Sequence, residues 1–262
     1  MRRRRAATVA VLFVIVALSA PACSGAPAAH PAAKAAVTPK APHTTTAGGF
    51  TVSGVRQVLA NGSQDTHAQA AGASCDSAQL TEDKNLGNEI AGGFAAANFP
   101  AAASLLRHFL AGAGTSVNYP AGSRIARLAR ASSAFQVVNG QVQAAVARQL
   151  KAGDTQVRLP AGQLPTVTFS ATTSDLYWSF RGTQGLTVTG SGSRKNGRYA
   201  GTLTYVIRDS YGFPVADTLD GFGPPMRYLQ TVCGAPQHAG GAHWFPDTIT
   251  VIVPFSQPVK KQ

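Results

Sequence analysis

The order of patterns along the chain predicts an α+β fold, with N-terminal helices packed on a mostly antiparallel sheet in a single domain. Apolar residues recur at helical spacing from Asn85 to Lys151, and period-two alternation takes over after Gly153. Helices first and strands later is the order of an α+β chain, whereas a parallel sheet would need strands and helices to alternate. Composition agrees with a globular domain: 27 Gly and 16 Pro among 262 residues are too few for a fibrous or wholly disordered chain.

Phe50, Val52, Val55 and Val58 mark one short strand over Phe50–Leu59. Asn61 to Asp76 is polar and Gly-rich, which predicts a loosely ordered loop ending near Cys75 and a compact domain that begins near Leu80. Asn85 to Leu110 reads as two helices. Leu86, Ile90, Phe94 and Ala97 form the first apolar face, and Pro100 ends that helix and opens the next. Leu105, Leu106, Phe109 and Leu110 form the second face, which Gly112 and Gly114 stop. Ser123 is an N-cap for a short helix carrying Ile125 and Leu128. Phe135, Val138, Val142, Val146 and Leu150 make a further helix over Ala134–Lys151, unless Asn139-Gly140 turns it into a hairpin.

Six strands follow from the alternation: Thr155–Leu159, Pro165–Ala171, Asp175–Phe180, Leu186–Gly190, Arg198–Arg208 and Thr248–Phe255. Gly190-Ser191-Gly192-Ser193 lies between two of them and reads as a hairpin turn. A phosphate-binding loop would need a helix N-terminus behind it. Most of the aromatics from Tyr177 to Phe213 are expected in the core and in cross-strand pairs.

The N-terminus predicts export. Arg2 to Arg5 form a cationic segment, Ala6–Leu18 is apolar apart from Thr8, and Ala20-Pro21-Ala22 is a small-x-small cleavage site. The apolar run is too short to cross a bilayer of about 30 Å. A general secretory route fits better than a twin-arginine one, since no polar residues interrupt the run after the arginines. Residues 1–22 are thus a signal peptide. Cys23 follows directly, as in a bacterial lipoprotein, although Ala20 stands where that pattern has Leu. Lipidation at Cys23 and ordinary cleavage after Ala22 both stay open. Residues 23–49, rich in Ala, Pro and Thr, read as a disordered tether, and 50–79 as a loosely ordered segment. The α+β domain is expected over 80–256, with a basic tail at 257–262.

Three cysteines leave one unpaired in an oxidising compartment. If Cys23 carries lipid, Cys75 and Cys233 are left to form a disulfide. No local cysteine-peptidase signature accompanies either thiol.

Charged residues make up 13% of the chain, against roughly 25% in an average domain, yet the net charge is +12. Without the four signal arginines, 19 basic residues stand against 11 acidic ones, a net of +8. Arg124, Arg127 and Arg130 recur every three residues and form a candidate anion-binding face. Anionic wall polymer or a membrane surface is the expected partner; no nucleic acid is expected, because no aromatic-basic RNA motif appears. No Gly-x-Ser-x-Gly, Ser-x-x-Lys or His-Glu-x-x-His motif is present. Two further groups carry chemistry. Asp209, Asp217 and Asp220 are carboxylates that a glycoside hydrolase could pair. His238, His243 and Asp247 have the donor types of a divalent metal site in a Gly-rich loop, though their spacing matches no metal motif.

The run Tyr205-Val-Ile-Arg-Asp-Ser-Tyr-Gly-Phe213 resembles exported actinobacterial proteins of unknown function, in which a strand ends in Asp-x-Tyr followed one residue later by an aromatic. Leu105 to Gly114 and the paired strands before Tyr205 fit the same group, over Ala101–Phe213. The resemblance implies export and no transferable activity. Asp209-Ser-Tyr211 is also similar to the Asp-x-Tyr-Asp motif of lipid-II-cleaving bacteriocins. Gly212 replaces the second Asp and no His-Arg pair follows, so that activity does not carry over. The reading is an exported, lipid-anchored cell-surface protein acting as a non-enzymatic binding or structural module, with no cofactor. The alternatives are a secreted wall hydrolase using the aspartates or the His238/His243 loop, and a bacteriocin-like toxin.

Overall fold

A computed structural model describes residues 49–57, 74–180, 183–213, 223–235 and 238–258. The expected signal peptide, Cys23 and nearly all of the expected tether lie outside the described residues, as do Asn61 to Ala73 of the expected loop. The chain separates into two units, Met1–Thr44 and Thr45–Gln262, and every described element belongs to the second.

The fold is α+β. The strands are β1 (Gly49–Gln57), β2 (Val117–Tyr119), β3 (Gln156–Leu159), β4 (Gly185–Lys195), β5 (Arg198–Tyr211) and β6 (Phe245–Pro258). The helices are α1 (Ser77–Ala96), α2 (Pro100–Ala111), α3 (Arg124–Ala131), α4 (Ser133–Ala152), α5 (Asp175–Phe180) and α6 (Gly223–Thr231). The sheet runs β2-β6-β5-β4-β1-β3. Its four central strands are antiparallel, and β2 and β3 add parallel edges.

The long central strands fix the core. Leu203, Tyr205 and Ile207 on β5 and Ile249, Val251, Val253 and Phe255 on β6 point to one face, as period two demands. That face is covered by α4, whose Phe135 ring meets Tyr205 edge-on at 5.0 Å and whose Asn139 accepts a hydrogen bond from the Tyr205 hydroxyl. It is also covered by α2, whose Phe109 packs against Tyr211 and Phe213. Thr51, Ser53, Thr189 and Thr202 stand on the opposite face, which is solvent-exposed.

The helix ends follow their sequence signals. Asp76 caps α1 by accepting from the Gln79 amide, Pro100 opens α2, and Gly112 closes it at φ 71°. Ser123 caps α3 through the Ala126 amide. Ser132 serves two helices: its hydroxyl donates to Ala129 O and accepts from the Phe135 amide, ending α3 and starting α4.

Several expectations are corrected. Asp175–Phe180 is helix, not strand: the Ser174 hydroxyl accepts from the Tyr177 amide and starts a turn that buries Leu176 and Phe180 together, four residues apart. Pro165–Ala171 joins no ladder, although Val167 and Phe169 are buried. Gly190 to Ser193 lie inside β4, paired on both sides, and the hairpin turn is Asn196-Gly197 with φ of 52° and 69°. The glycines of β4 serve close strand approach: a Cβ at Gly192 would fall 2.3 Å from Ala200 O and 2.5 Å from the Phe50 ring. Asn139-Gly140 stays helical inside α4. The folded domain does not start at Leu80, because β1 pairs between β4 and β3 and α1 begins at Ser77. Nor does a tail start at 257, since β6 holds Gln257 and Pro258 in register with β5. Val55 is 50% exposed, and Gly54 takes the buried position against Leu159.

Cys75 and Cys233 form a disulfide with a Cα–Cα distance of 4.9 Å across 158 residues. It fastens the start of α1 to the turn after α6, next to a hydrogen bond from the Asp76 amide to the Tyr228 hydroxyl. Closing so long a loop restricts the unfolded chain by about 5 kcal/mol in the chain-entropy account. The Cys75→Ala/Cys233→Ala double variant is therefore expected to lose about 2–5 kcal/mol, read as a lower urea midpoint with a somewhat steeper slope, because the unlinked unfolded chain exposes more surface.

Candidate functional site

Pairing β5 with β6 places Asp209 directly opposite Asp247. Both stand on the helix-covered face, flanked by the Tyr211–Phe245 and Ile207–Ile249 pairs. Like charges directly opposed on neighbouring strands repel. Asp209 Oδ1 accepts from the Ser210 amide at 2.8 Å. Asp247 is 0% exposed, and among the described residues neither of its carboxylate oxygens has a hydrogen-bond partner. Burial pushes the Asp247 carboxyl well above its ordinary range, and the charge of Asp209 pushes it in the same direction.

Tyr119, on the short strand β2, continues this polar line. Its hydroxyl is buried and unpartnered among the described residues, and its ring meets Phe180 edge-on at 5.8 Å. Burial raises its pKa, and the charges of Asp247 and Asp175 raise it further, so the phenol lies within electrostatic reach of both carboxylates.

Asp175 opens α5 and is buried. Its Oδ1 accepts from the Ala102 amide at 2.9 Å and its Oδ2 from the Ala101 amide at 3.2 Å, which satisfies the start of α2. Arg124 reaches the same carboxylate at 3.5 Å, with side chains 42% and 3% exposed respectively. The other guanidinium arm donates to Asn98 O at 3.1 Å and Asn98 Oδ1 at 3.2 Å. Asn98 has φ 64° just past α1, a left-handed conformation that Asn tolerates. Next to this group an open cleft of about 500 Å3 runs between the end of α1, α3, the start of α4 and the 168–176 segment. Leu128, expected on a buried face, is 36% exposed and lines it.

The predicted site residues are thus redistributed. Asp209 pairs with Asp247 rather than with Asp217 or Asp220, which lie outside the described residues. His238, His243 and Asp247 do not assemble a metal site: no group of three or more His, Cys, Asp or Glu gathers among the described residues. The physical reason is that Asp247 belongs to β6 and points into the core, whereas His243 is exposed in the preceding loop and His238 follows the turn after α6. Arg124, Arg127 and Arg130 all lie on the exposed side of α3, but Arg124 is engaged by Asp175 and Asn98, and Arg127 donates to Gly122 O. Asp175, Tyr119 and Asn98 were not singled out by the sequence. Asp175 sat in a stretch that alternates like a strand, and a three-residue edge strand leaves no periodic trace.

The chain matches no protein-family model, and comparison with curated proteins and with solved structures yields no match.

The carboxyl pair makes stability depend on pH. An Asp in the unfolded chain titrates near 3.9. The folded state holds the Asp247 proton to higher pH, so this group's contribution is complete below about 4 and is lost as pH rises through the folded-state value. Urea midpoints measured from pH 4 upward are expected to show an Asp247→Asn variant with a flatter profile than the native protein and higher stability at the alkaline end. Coincident profiles would contradict this.

Proposed function

We propose that the protein is an exported, lipid-anchored binding module that contacts anionic wall polymer through the basic face of α3. The observation that carries the reading is the placement of Arg127 and Arg130 on the exposed side of a helix that borders an open cleft. The net charge of +8 without the signal arginines supports it, because long-range attraction concentrates a polyanion at such a face. Arg124 contributes less to that face than its spacing suggests, since its charge is matched by Asp175.

Burial speaks against the hydrolase reading for Asp209 and Asp247. Carboxylates with so little exposed surface give neither water nor a scissile bond access, and both side chains point into the core.

The test is co-sedimentation with a purified anionic wall polymer. Arg127→Ala/Arg130→Ala should bind several-fold more weakly than the native chain at low salt. Both should release at 1 M salt, where the screening length falls to about 3 Å. Arg124 is kept in this variant because its loss would disturb the start of α2. Equal binding by both proteins would overturn the reading. Processing has its own measurement: the intact mass of the membrane-fraction protein should match a chain beginning at Cys23 with a diacylglyceryl adduct.

A further inference from the structure

The cleft beside Arg124 has the size of a small-molecule site, about 500 Å3 against the 300–1,000 Å3 usual for such pockets. Its chemistry narrows the ligand. The charges at its wall are already balanced: Arg124 is shared between Asp175 and Asn98, and Asp175 is occupied by two amides as well. An anion entering would meet the Asp175 carboxylate beside the guanidinium, and a cation would meet the guanidinium beside the carboxylate. Neither finds a spare counter-charge in the cleft.

Hydroxyls are what remain. Ser133, Thr168, Ser170 and Thr173 line the cleft, are exposed, and make no side-chain hydrogen bond among the described residues. Each hydroxyl is one donor and two acceptors, so it can meet a ligand hydroxyl in either sense. They come from separate elements: Ser133 from the first turn of α4, the other three from the segment that leads into α5. The wall between them is apolar. Phe99 is half-buried, Leu128 is exposed, and the buried Phe169 lines the cleft with them. An exposed leucine lining a pocket is an unfilled apolar surface rather than a core position.

We propose that this cleft binds a neutral saccharide, one or two pyranose units, with the apolar C–H face of a ring on Phe99 and Leu128 and its hydroxyls on the free serine and threonine side chains. A sugar ring is the ligand class that carries a flat apolar face and many uncharged donor–acceptor groups in one small body. The site is separate from the exposed basic face of Arg127 and Arg130 and does not depend on that face binding a polymer.

The experiment is a titration of the isotope-labelled full chain, followed by amide chemical shifts. The probes are N,N′-diacetylchitobiose and cellobiose, with inorganic phosphate as the anionic control. At tens of millimolar, at least one disaccharide should shift the amides of Ser133, Thr168, Ser170 and Thr173 saturably, and phosphate should not. Ser133→Phe and Ser170→Trp each place a bulky ring in the cleft from an exposed position. Both should stay folded, with a native-like spectrum away from the cleft, and weaken binding about tenfold or more. Arg127→Ala/Arg130→Ala should leave the saccharide shifts unchanged, which separates failure of this site from failure of the basic face. The proposal is overturned if neither disaccharide shifts those four amides, if phosphate shifts them instead, or if both blocking variants bind as the native chain does.

Discussion

The carboxylate of Asp175 is the junction on which the helical layer depends. The first amides of α2 have no partner within their own helix, and two of them point at this side chain. A charged acceptor at a helix start also meets the positive end of the helix dipole. Such a cap contributes about 1 kcal/mol. The larger effect is geometric. Arg124 reads Asp175 with one arm and the carbonyl of Asn98 with the other, so the end of α1, the starts of α2 and α5, and the first residue of α3 meet around two side chains. Removing the carboxylate would leave the two amides without their acceptor and the guanidinium without its counter-charge, held by Asn98 alone.

The sheet carries a second polar feature of a different kind. Asp209 and Asp247 occupy positions where the alternation of β5 and β6 otherwise places Ile, Val, Tyr and Phe. A buried carboxylate without partners is costly when ionised, and the usual outcome is that the group keeps its proton. Repulsion from Asp209 favours the same outcome, so the strand pairing and the protonation state are linked. The phenol of Tyr119 lies within electrostatic reach of both Asp247 and Asp175, and both charges raise its pKa beyond the effect of burial.

The cleft lies where this layer of helices opens to solvent. Ser132 and Ser174 are used up by their own helix ends, while Ser133, Thr168, Ser170 and Thr173 are left facing the open space. The basic residues of α3 lie alongside. The folded chain thus presents a charge-balanced cleft next to a cationic face.

Much of the fold was legible in the sequence because its signals are local. Pro100, Gly112, Ser123 and Gly153 act through φ or through a side chain within three residues, and α2, α3 and α4 begin or end at them. The strands β5 and β6 announced themselves over Arg198–Arg208 and Thr248–Phe255, where period two is regular, and pairing extends each to fourteen residues. The pairing of Cys75 with Cys233 followed from the expectation that Cys23 carries lipid, which leaves these two thiols. What tertiary structure decided was every outcome that depends on a distant partner. Asn196-Gly197 turns a hairpin, whereas Asn139-Gly140 stays helical with the Asn139 side chain accepting from Tyr205 on β5. Asp175–Phe180 alternates like a strand, yet its first residue is held at the start of α2, seventy-odd residues upstream, and the segment closes into a helix. Asp209 and Asp247 became a pair through strand register alone, because residues 38 positions apart have no local interaction by which a sequence can place them opposite each other.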